Sequence, residues 1–296
     1  MKELISQTAF CRGYRWFLNL FGFLGILSLF ISFEWIFSGI TCWFFKLVSI
    51  LFFLMLVYAL LHYISFKYHK KNQNKIKLLP IHKLGSDKRL YILFGDLFGK
   101  DITEQENRTN IVIPFNRCFD IEVDDVLISR NSLHGKLVEK LLNSKKYDKT
   151  SLRATITATL RRISNQNYIP EIVDKQIGEK LRYPEGAIAC IPGVLKEYYF
   201  CFGLSKFNQD KAIPTRSEYI NALDSLVRRI IDLSQGYPVY IPLIGTGLSG
   251  IGVNNELALD ILIHTIKLYE KEINCNIYIV LKEELKPLLE KITSHV

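Results

Sequence analysis

No C-x-x-C pair occurs among the six cysteines of this 296-residue chain; Cys11, Cys42, Cys118, Cys190, Cys201 and Cys275 are scattered. That spacing argues against zinc and against a disulfide framework, and fits free thiols in a reduced cytosol. The chain also lacks a stripe of Arg and Lys interleaved with aromatics, so nucleic acid is not the expected partner despite a net charge of +9. The surplus charge has a local source instead, in Lys67, Lys70, Lys71, Lys75 and Lys77. No Ala-x-Ala-like site follows the first apolar stretch, which argues against a cleaved signal peptide. Polar residues are nearly missing from two long runs. Trp16 to Phe33 is broken only by Asn19 and small Gly and Ser residues, and Leu47 to Ile64 only by Ser49 and His62.

Each run approaches the roughly 20 residues that cross a hydrocarbon core of about 30 Å as a helix. A helix is required because lipid satisfies no backbone polar group. The organisation predicted is a transmembrane hairpin over residues 1–66, a basic juxtamembrane linker over 67–87, and a ligand-binding domain over 88–296. Arg12 and Arg15 precede the first span and the lysines follow the second, whereas the connection holds Glu34 and Lys46. Both termini and the domain are therefore expected in the cytoplasm, with the lysines facing anionic lipid. Gly22, Gly25, Ser28 and Ser32 recur at three- and four-residue steps, which suits close helix packing within the hairpin or between protomers.

Beyond Pro80 the pattern alternates. Strands are expected at Leu90–Phe94, Asn110–Phe115, Ala187–Ile191, Tyr198–Leu204, Tyr237–Leu243 and Asn276–Leu281. Helices are expected at Leu133–Leu142, Arg216–Leu233, Glu256–Tyr269 and from Glu283 onward. In the second helix Ile220, Leu223, Leu226, Val227, Ile230 and Ile231 form an apolar stripe at helical period, read as core packing. The fold class is α/β, with a largely parallel or mixed sheet covered by helices on both faces. Lys145 to Pro184 is polar and basic and reads as an insertion or solvated loop, with Thr155–Leu160 a short strand or helix within it.

Three strand ends carry candidate chemistry. Gly95-Asp96 places a carboxylate after the first strand, suited to an exocyclic amine or to a turn. Asn116 ends the next, where an amide can donate to and accept from ribose hydroxyls. The run Val239 to Ile244 empties into Gly245-Thr246-Gly247-Leu248-Ser249-Gly250, with a helix starting at Asn254 or Asn255. A strand leading through a Gly/Ser loop into a helix is a phosphate cradle: glycine lets the backbone approach an anion, and free N–H groups bind it.

In this order the residues resemble a macro domain, over about Lys88 to Val280. Gly95-Asp96, Asn116, Asn131-Ser132-Leu133-His134-Gly135 and Gly245 to Gly250 stand where that family has its ligand loops, and Phe200 to Phe207 looks like its penultimate core strand. The resemblance implies a macro-domain-like mixed sheet and an ADP-ribose-type ligand, with no other cofactor and no metal. It places Asp96 at adenine and Asn116 near the distal ribose, with Leu97 also among the ligand-binding residues. Ser132, His134 and Gly135, together with Gly245, Thr246, Gly247, Leu248, Ser249, Gly250 and Ile251, would hold the pyrophosphate. Hydrolysing members carry a run of glycines and then an acidic or other catalytic group before the post-Asn helix; here one glycine stands there. His134 is an acid–base candidate, weighed against a cap or solvated side chain. Binding is accordingly expected rather than turnover.

A macro-like domain behind two membrane helices is also similar to the membrane effector of type II Thoeris anti-phage defence. That resemblance implies a bacterial inner-membrane protein paired with a TIR-domain, NAD-consuming partner. The partner's ADP-ribose-derived signal, a histidine conjugate in that family, would drive self-association and membrane disruption. A membrane-tethered ADP-ribosyl hydrolase, or a reader of ADP-ribosylated proteins, is the alternative.

Overall fold

The structure, a computed structural model, describes residues 78–85, 87–164, 170–208, 211–212, 215–246 and 252–288, with isolated positions at 55, 59 and 63. The expected hairpin spans fall outside those stretches, as do Gly247 to Ile251 of the glycine loop. No helix among the described residues is long and apolar enough to cross a membrane. The chain divides into two units; Lys77–Lys286 forms most of the second, and the elements described below belong to it, the last running on to Leu288.

Eleven strands and five helices make up the described part. They run β1 (Leu78–Leu84), β2 (Lys88–Phe94), a single-turn α1 (Lys100–Thr103), β3 (Thr109–Asn116), α2 (Leu133–Asn143) and α3 (Lys149–Ser164). There follow β4 (Glu171–Ile172), β5 (Leu181–Arg182), β6 (Ile188–Pro192), β7 (Glu197–Ser205), β8 (Phe207–Asn208) and β9 (Lys211–Ala212). The chain continues through α4 (Arg216–Leu233), β10 (Val239–Pro242), α5 (Asn255–Leu268) and β11 (Ile277–Leu281) to a 3-10 turn at Glu283–Leu288.

Seven strands form one sheet in the order β1-β2-β11-β10-β3-β7-β6. The five central strands are parallel, and β1 and β6 pair antiparallel at the two edges. Side-chain alternation divides the core. Ile111, Ile113, Phe115, Tyr199 and Cys201 pack on one face with Leu137, Val138 and Leu141 of α2 and Leu152, Ile156 and Leu160 of α3. Val112, Phe200, Phe202, Ile241 and Ile279, of opposite parity, are buried on the other. The buried stripes of α4 and α5, including Leu223, Leu226, Leu259 and Leu262, belong to that second layer. The result is the mixed sheet between helices that the alternation predicted.

Several expectations need correction. The linker expected up to residue 87 contains β1, an edge strand whose Ile81 and Leu84 are buried; Pro80 is tolerated there because an edge strand has one unpaired side. The region expected as a solvated loop holds the 16-residue α3. Asp148 starts that helix: its carboxylate accepts from Ser151 N–H at 2.7 Å while Ser151 Oγ accepts from Asp148 N–H at 3.0 Å. In α4 the bounds are as expected, set by a Thr215–Glu218 capping box, but Ile220 is exposed and Tyr219 heads the buried stripe. Cys118, Cys201 and Cys275 are buried thiols and Cys190 is half-buried, none of the four in a disulfide.

Candidate functional site

The carboxyl ends of the five parallel strands lie along one edge of the sheet, where open α/β sheets bind ligands. Asp96 follows β2, Asn116 ends β3, Ser205 ends β7, and Gly245 and Thr246 follow β10. The first turn of α2 joins them through His134. Asp96, Asn116, His134 and the entry to the glycine loop thus share one rim, although they are far apart in the chain.

Asn116 is the centre of this group. A register shift between Phe115 and Asn116 pairs Asn116 with Ser205 and leaves Leu204 as the extra residue of β7; such bulges re-aim a strand-end side chain. Asn116 is 4% exposed. Its Oδ1 accepts from Asp120 N–H at 3.2 Å, and that donor decides which end of the amide is oxygen. The other end, Nδ2, is buried and has no hydrogen-bond partner among the described residues. A buried donor left unmade costs about 1–3 kcal/mol, so this NH2 group is the strongest local sign of a missing acceptor.

Asp96 is exposed. Its Oδ1 accepts from Phe98 N–H at 3.2 Å and its carbonyl from Gly99 N–H at 2.9 Å, so the turn role leaves Oδ2 without a partner among the described residues. The Leu97 side chain is buried in the core and has only its backbone to offer a ligand. At the head of α2, Ser132 Oγ accepts from Gly135 N–H at 2.9 Å as an N-cap. A Cβ on Gly135 would lie 2.3 Å from the Ser129 carbonyl oxygen, so this glycine permits helix-to-loop contact. Both residues have structural duties here, which the reading of a pyrophosphate loop did not include.

His134 is neither solvated nor a cap. It is 7% exposed, its ring centroid lies 3.6 Å from that of Phe115, and its Nε2 donates to the Asp120 carbonyl at 2.9 Å. Burial pushes its pKa down to about 3, the Asp120 carbonyl opposing only in part. A ring that is neutral and already bonded is a poor general acid or base near neutral pH.

The entry to the glycine loop is held from below. Gly245 has φ +90, and a Cβ there would meet the Tyr219 ring at 2.9 Å. Tyr219 donates its hydroxyl to the Ile244 carbonyl at 3.0 Å. Thr246 is half-buried, and Asn254 caps α5 by accepting from Leu257 N–H at 2.8 Å, so a strand end and a capped helix start flank the glycine-rich sequence.

Sequence reasoning missed the ionic groups that brace this rim. Arg117 Nη1 reaches Glu218 Oε1 at 3.2 Å and Nη2 reaches Glu185 at 3.3 Å, while Nε donates to the Tyr183 carbonyl at 2.8 Å. Lys206 Nζ bonds the same Glu218 oxygen at 2.6 Å. Burial raises the Glu218 pKa, but hydrogen bonds from Lys206 and Thr215 outweigh it and bring the carboxyl to about 2. Asp120, 1% exposed, pairs with Lys175 at 2.7 Å. Its only sequence signal is a lone carboxylate between Phe119 and Ile121. Among the described residues no group of three or more His, Cys, Asp or Glu could hold a metal ion.

A parallel-centred mixed sheet flanked by helices, with an Asn closing the central strand β3 and a glycine-rich sequence between β10 and the last long helix, is the arrangement of a macro domain. The family described as "Thoeris protein ThsA, Macro domain" matches residues 90–282, and the chain belongs to that family. It is 30% identical over 166 residues to Thoeris protein ThsA of Bacillus amyloliquefaciens (strain Y2), an alignment covering 53% of this chain. The chain spans about half of that relative's length, 52%. Among solved structures, an Oceanobacillus iheyensis macrodomain variant is similar with a TM-score of 0.48 and 14% identity, over 74% of this chain and 97% of that one. Another variant of that macrodomain, recorded with ADPR, gives 0.48 and 15%, over the same shares. A Bacteroides thetaiotaomicron protein of unknown function gives 0.37 and 16%, over 66% and 99%.

Proposed function

We propose that this chain is a membrane-anchored receptor for an ADP-ribose-type nucleotide signal, acting in anti-phage defence. The observation that carries the reading is the buried Nδ2 of Asn116 at the carboxyl end of a central strand, which has no partner among the described residues. A ribose hydroxyl or other acceptor at the rim would complete it. The glycine loop between β10 and α5 would take the pyrophosphate on its N–H groups, and Asp96 Oδ2 would accept from the adenine amine.

The TIR-domain partner consumes NAD and supplies the signal, which on the Thoeris resemblance is a histidine conjugate of ADP-ribose. Binding favours a self-associated state and gathers the hairpins into a membrane-disrupting assembly in the inner membrane. That shift requires tighter binding to the assembled state than to the free one, since equal affinity shifts nothing. The buried neutral His134 favours a binder over a hydrolase that would use it.

The test is calorimetric titration of the full chain with ADP-ribose. Saturable one-site binding, weakened about tenfold or more by Asn116→Ala, is the expected result. Binding that is indifferent to Asn116→Ala would refute this site.

A further inference from the structure

Asp120 is four residues beyond Asn116, and its groups are engaged in three directions. Its N–H donates to Asn116 Oδ1, and its carbonyl accepts from His134. Its carboxylate accepts from Lys175 Nζ at 2.7 Å and from Glu179 N–H at 2.5 Å. Lys175 and Glu179 lie on the arm over residues 170–182, closed on itself by the β4–β5 pairing and by the Arg182–Glu171 ion pair at 2.6 Å. The arm fits tightly around the carboxylate. Gly178 has φ +85, and a Cβ there would lie 2.3 Å from Asp120 Oδ1. Arg153 of α3 ties the same stretch down through Glu179 at 2.6 Å.

Burying a carboxylate this deeply is costly unless a charge partner and hydrogen-bond donors compensate it. Without the Lys175 ammonium the Asp120 carboxylate loses its charge partner and the contact that holds it against the arm, and a shift of Asp120 disturbs the peptide that orients the Asn116 amide. Nothing else among the described residues bonds that amide, so its orientation depends on the Asp120 peptide.

We infer that Lys175 is a positioning residue for Asn116, acting through Asp120, so that the 170–182 arm sets how well the site holds the ribose end of its ligand. The inference rests on the reading of Asn116 as the donor to the distal ribose of an ADP-ribose-type ligand. The arm is then part of the ligand site's machinery, although no residue of it has to touch the ligand.

Calorimetry of the full chain with two probes tests this: ADP-ribose, and ADP, which lacks the distal ribose. Lys175→Met is expected to weaken ADP-ribose by about tenfold while ADP stays within about twofold, and Lys175→Arg is expected to recover most of the loss. Equal weakening of both probes would reveal a merely structural role and overturn the inference, as would an unchanged ADP-ribose affinity. An Arg variant as weak as the Met variant would also overturn it. Lys175→Gln serves if the Met variant does not fold, with the same outcomes. Asn116→Ala, run in parallel, separates the two levels. If it leaves ADP-ribose unchanged, the underlying reading fails; if it weakens ADP-ribose while Lys175→Met does not, only the positioning role fails.

Discussion

Acidification from about pH 7.5 to about pH 5 should destabilise the domain by about 2 kcal/mol at one residue, His134. The imidazole is buried against Phe115 and bonded to the Asp120 carbonyl, and its pKa in the fold is about 3, against about 6.5 in an unfolded chain. Because the folded value is the lower one, the unfolded chain takes up the proton first. The stability linked to this group is therefore fully present above about pH 6.5 and declines as pH falls toward about 3. Within that window the slope approaches about 1.4 kcal/mol per pH unit. Allowing for half-protonation near the unfolded pKa, about 2 kcal/mol is lost by about pH 5, a drop in Tm of about 4–8 °C for a domain of this size. Glu218 also loses stability on acidification, but mainly as pH falls from its unfolded value of about 4.3 toward its folded value of about 2, largely below the range from about pH 7.5 to about pH 5. Thermal melts of the full chain and of His134→Gln, followed by near-UV circular dichroism across this range, isolate the effect. The Gln side chain does not titrate, so the variant starts lower and its pH slope is flatter by the stated amount. Parallel pH profiles for the two proteins would refute the burial argument.

Gly135→Ala should cost about 2–4 kcal/mol in urea unfolding, because its Cβ would meet backbone on both the Ser129 and Arg130 sides. Gly95→Ala, where a Cβ meets nothing within 4 Å, should stay within about 1 kcal/mol; similar losses for the two would contradict the packing described at α2. Tyr219→Phe removes the hydroxyl that holds the Ile244 carbonyl and is expected to lower stability by about 1 kcal/mol or somewhat more. Proteolysis of the glycine loop should quicken in that variant, and unchanged cleavage would show that Tyr219 does not brace the loop. Ile156→Ala should destabilise the domain by about 2–4 kcal/mol, measured by chemical denaturation, since that side chain is in the core. A loss below about 0.5 kcal/mol would return α3 to the solvated region that its composition suggests.

Legibility in the sequence followed the strength of local patterning. Helix α4 was readable from its apolar stripe, and the capping box that the structure shows at Thr215 and Glu218 fixes its start. Strand β1 was hidden by Pro80 and by the lysines before it, and its burial depends on pairing with β2. Helix α3 was hidden because Leu152, Ile156 and Leu160 are three apolar positions among Thr and Arg, and only the sheet face supplies their partners. The site divides in the same way. Asn116 announced itself as a polar residue closing an apolar strand, and Gly245 as the start of a loop that requires positive φ. The burial of His134 was not readable, since Ser132, Gly135 and Lys136 around it suggest a wet helix end. The Asp120–Lys175 pair joins residues 55 apart, a contact that only the fold creates.

Native mass spectrometry of the detergent-solubilised full chain, with ADP-ribose and its histidine conjugate added separately, tests the receptor reading most directly. The account predicts intact ligand retained on the protein, with higher oligomers appearing in wild type and lost in Asn116→Ala. No bound mass, or ligand consumed while the protein keeps its original state, would contradict it.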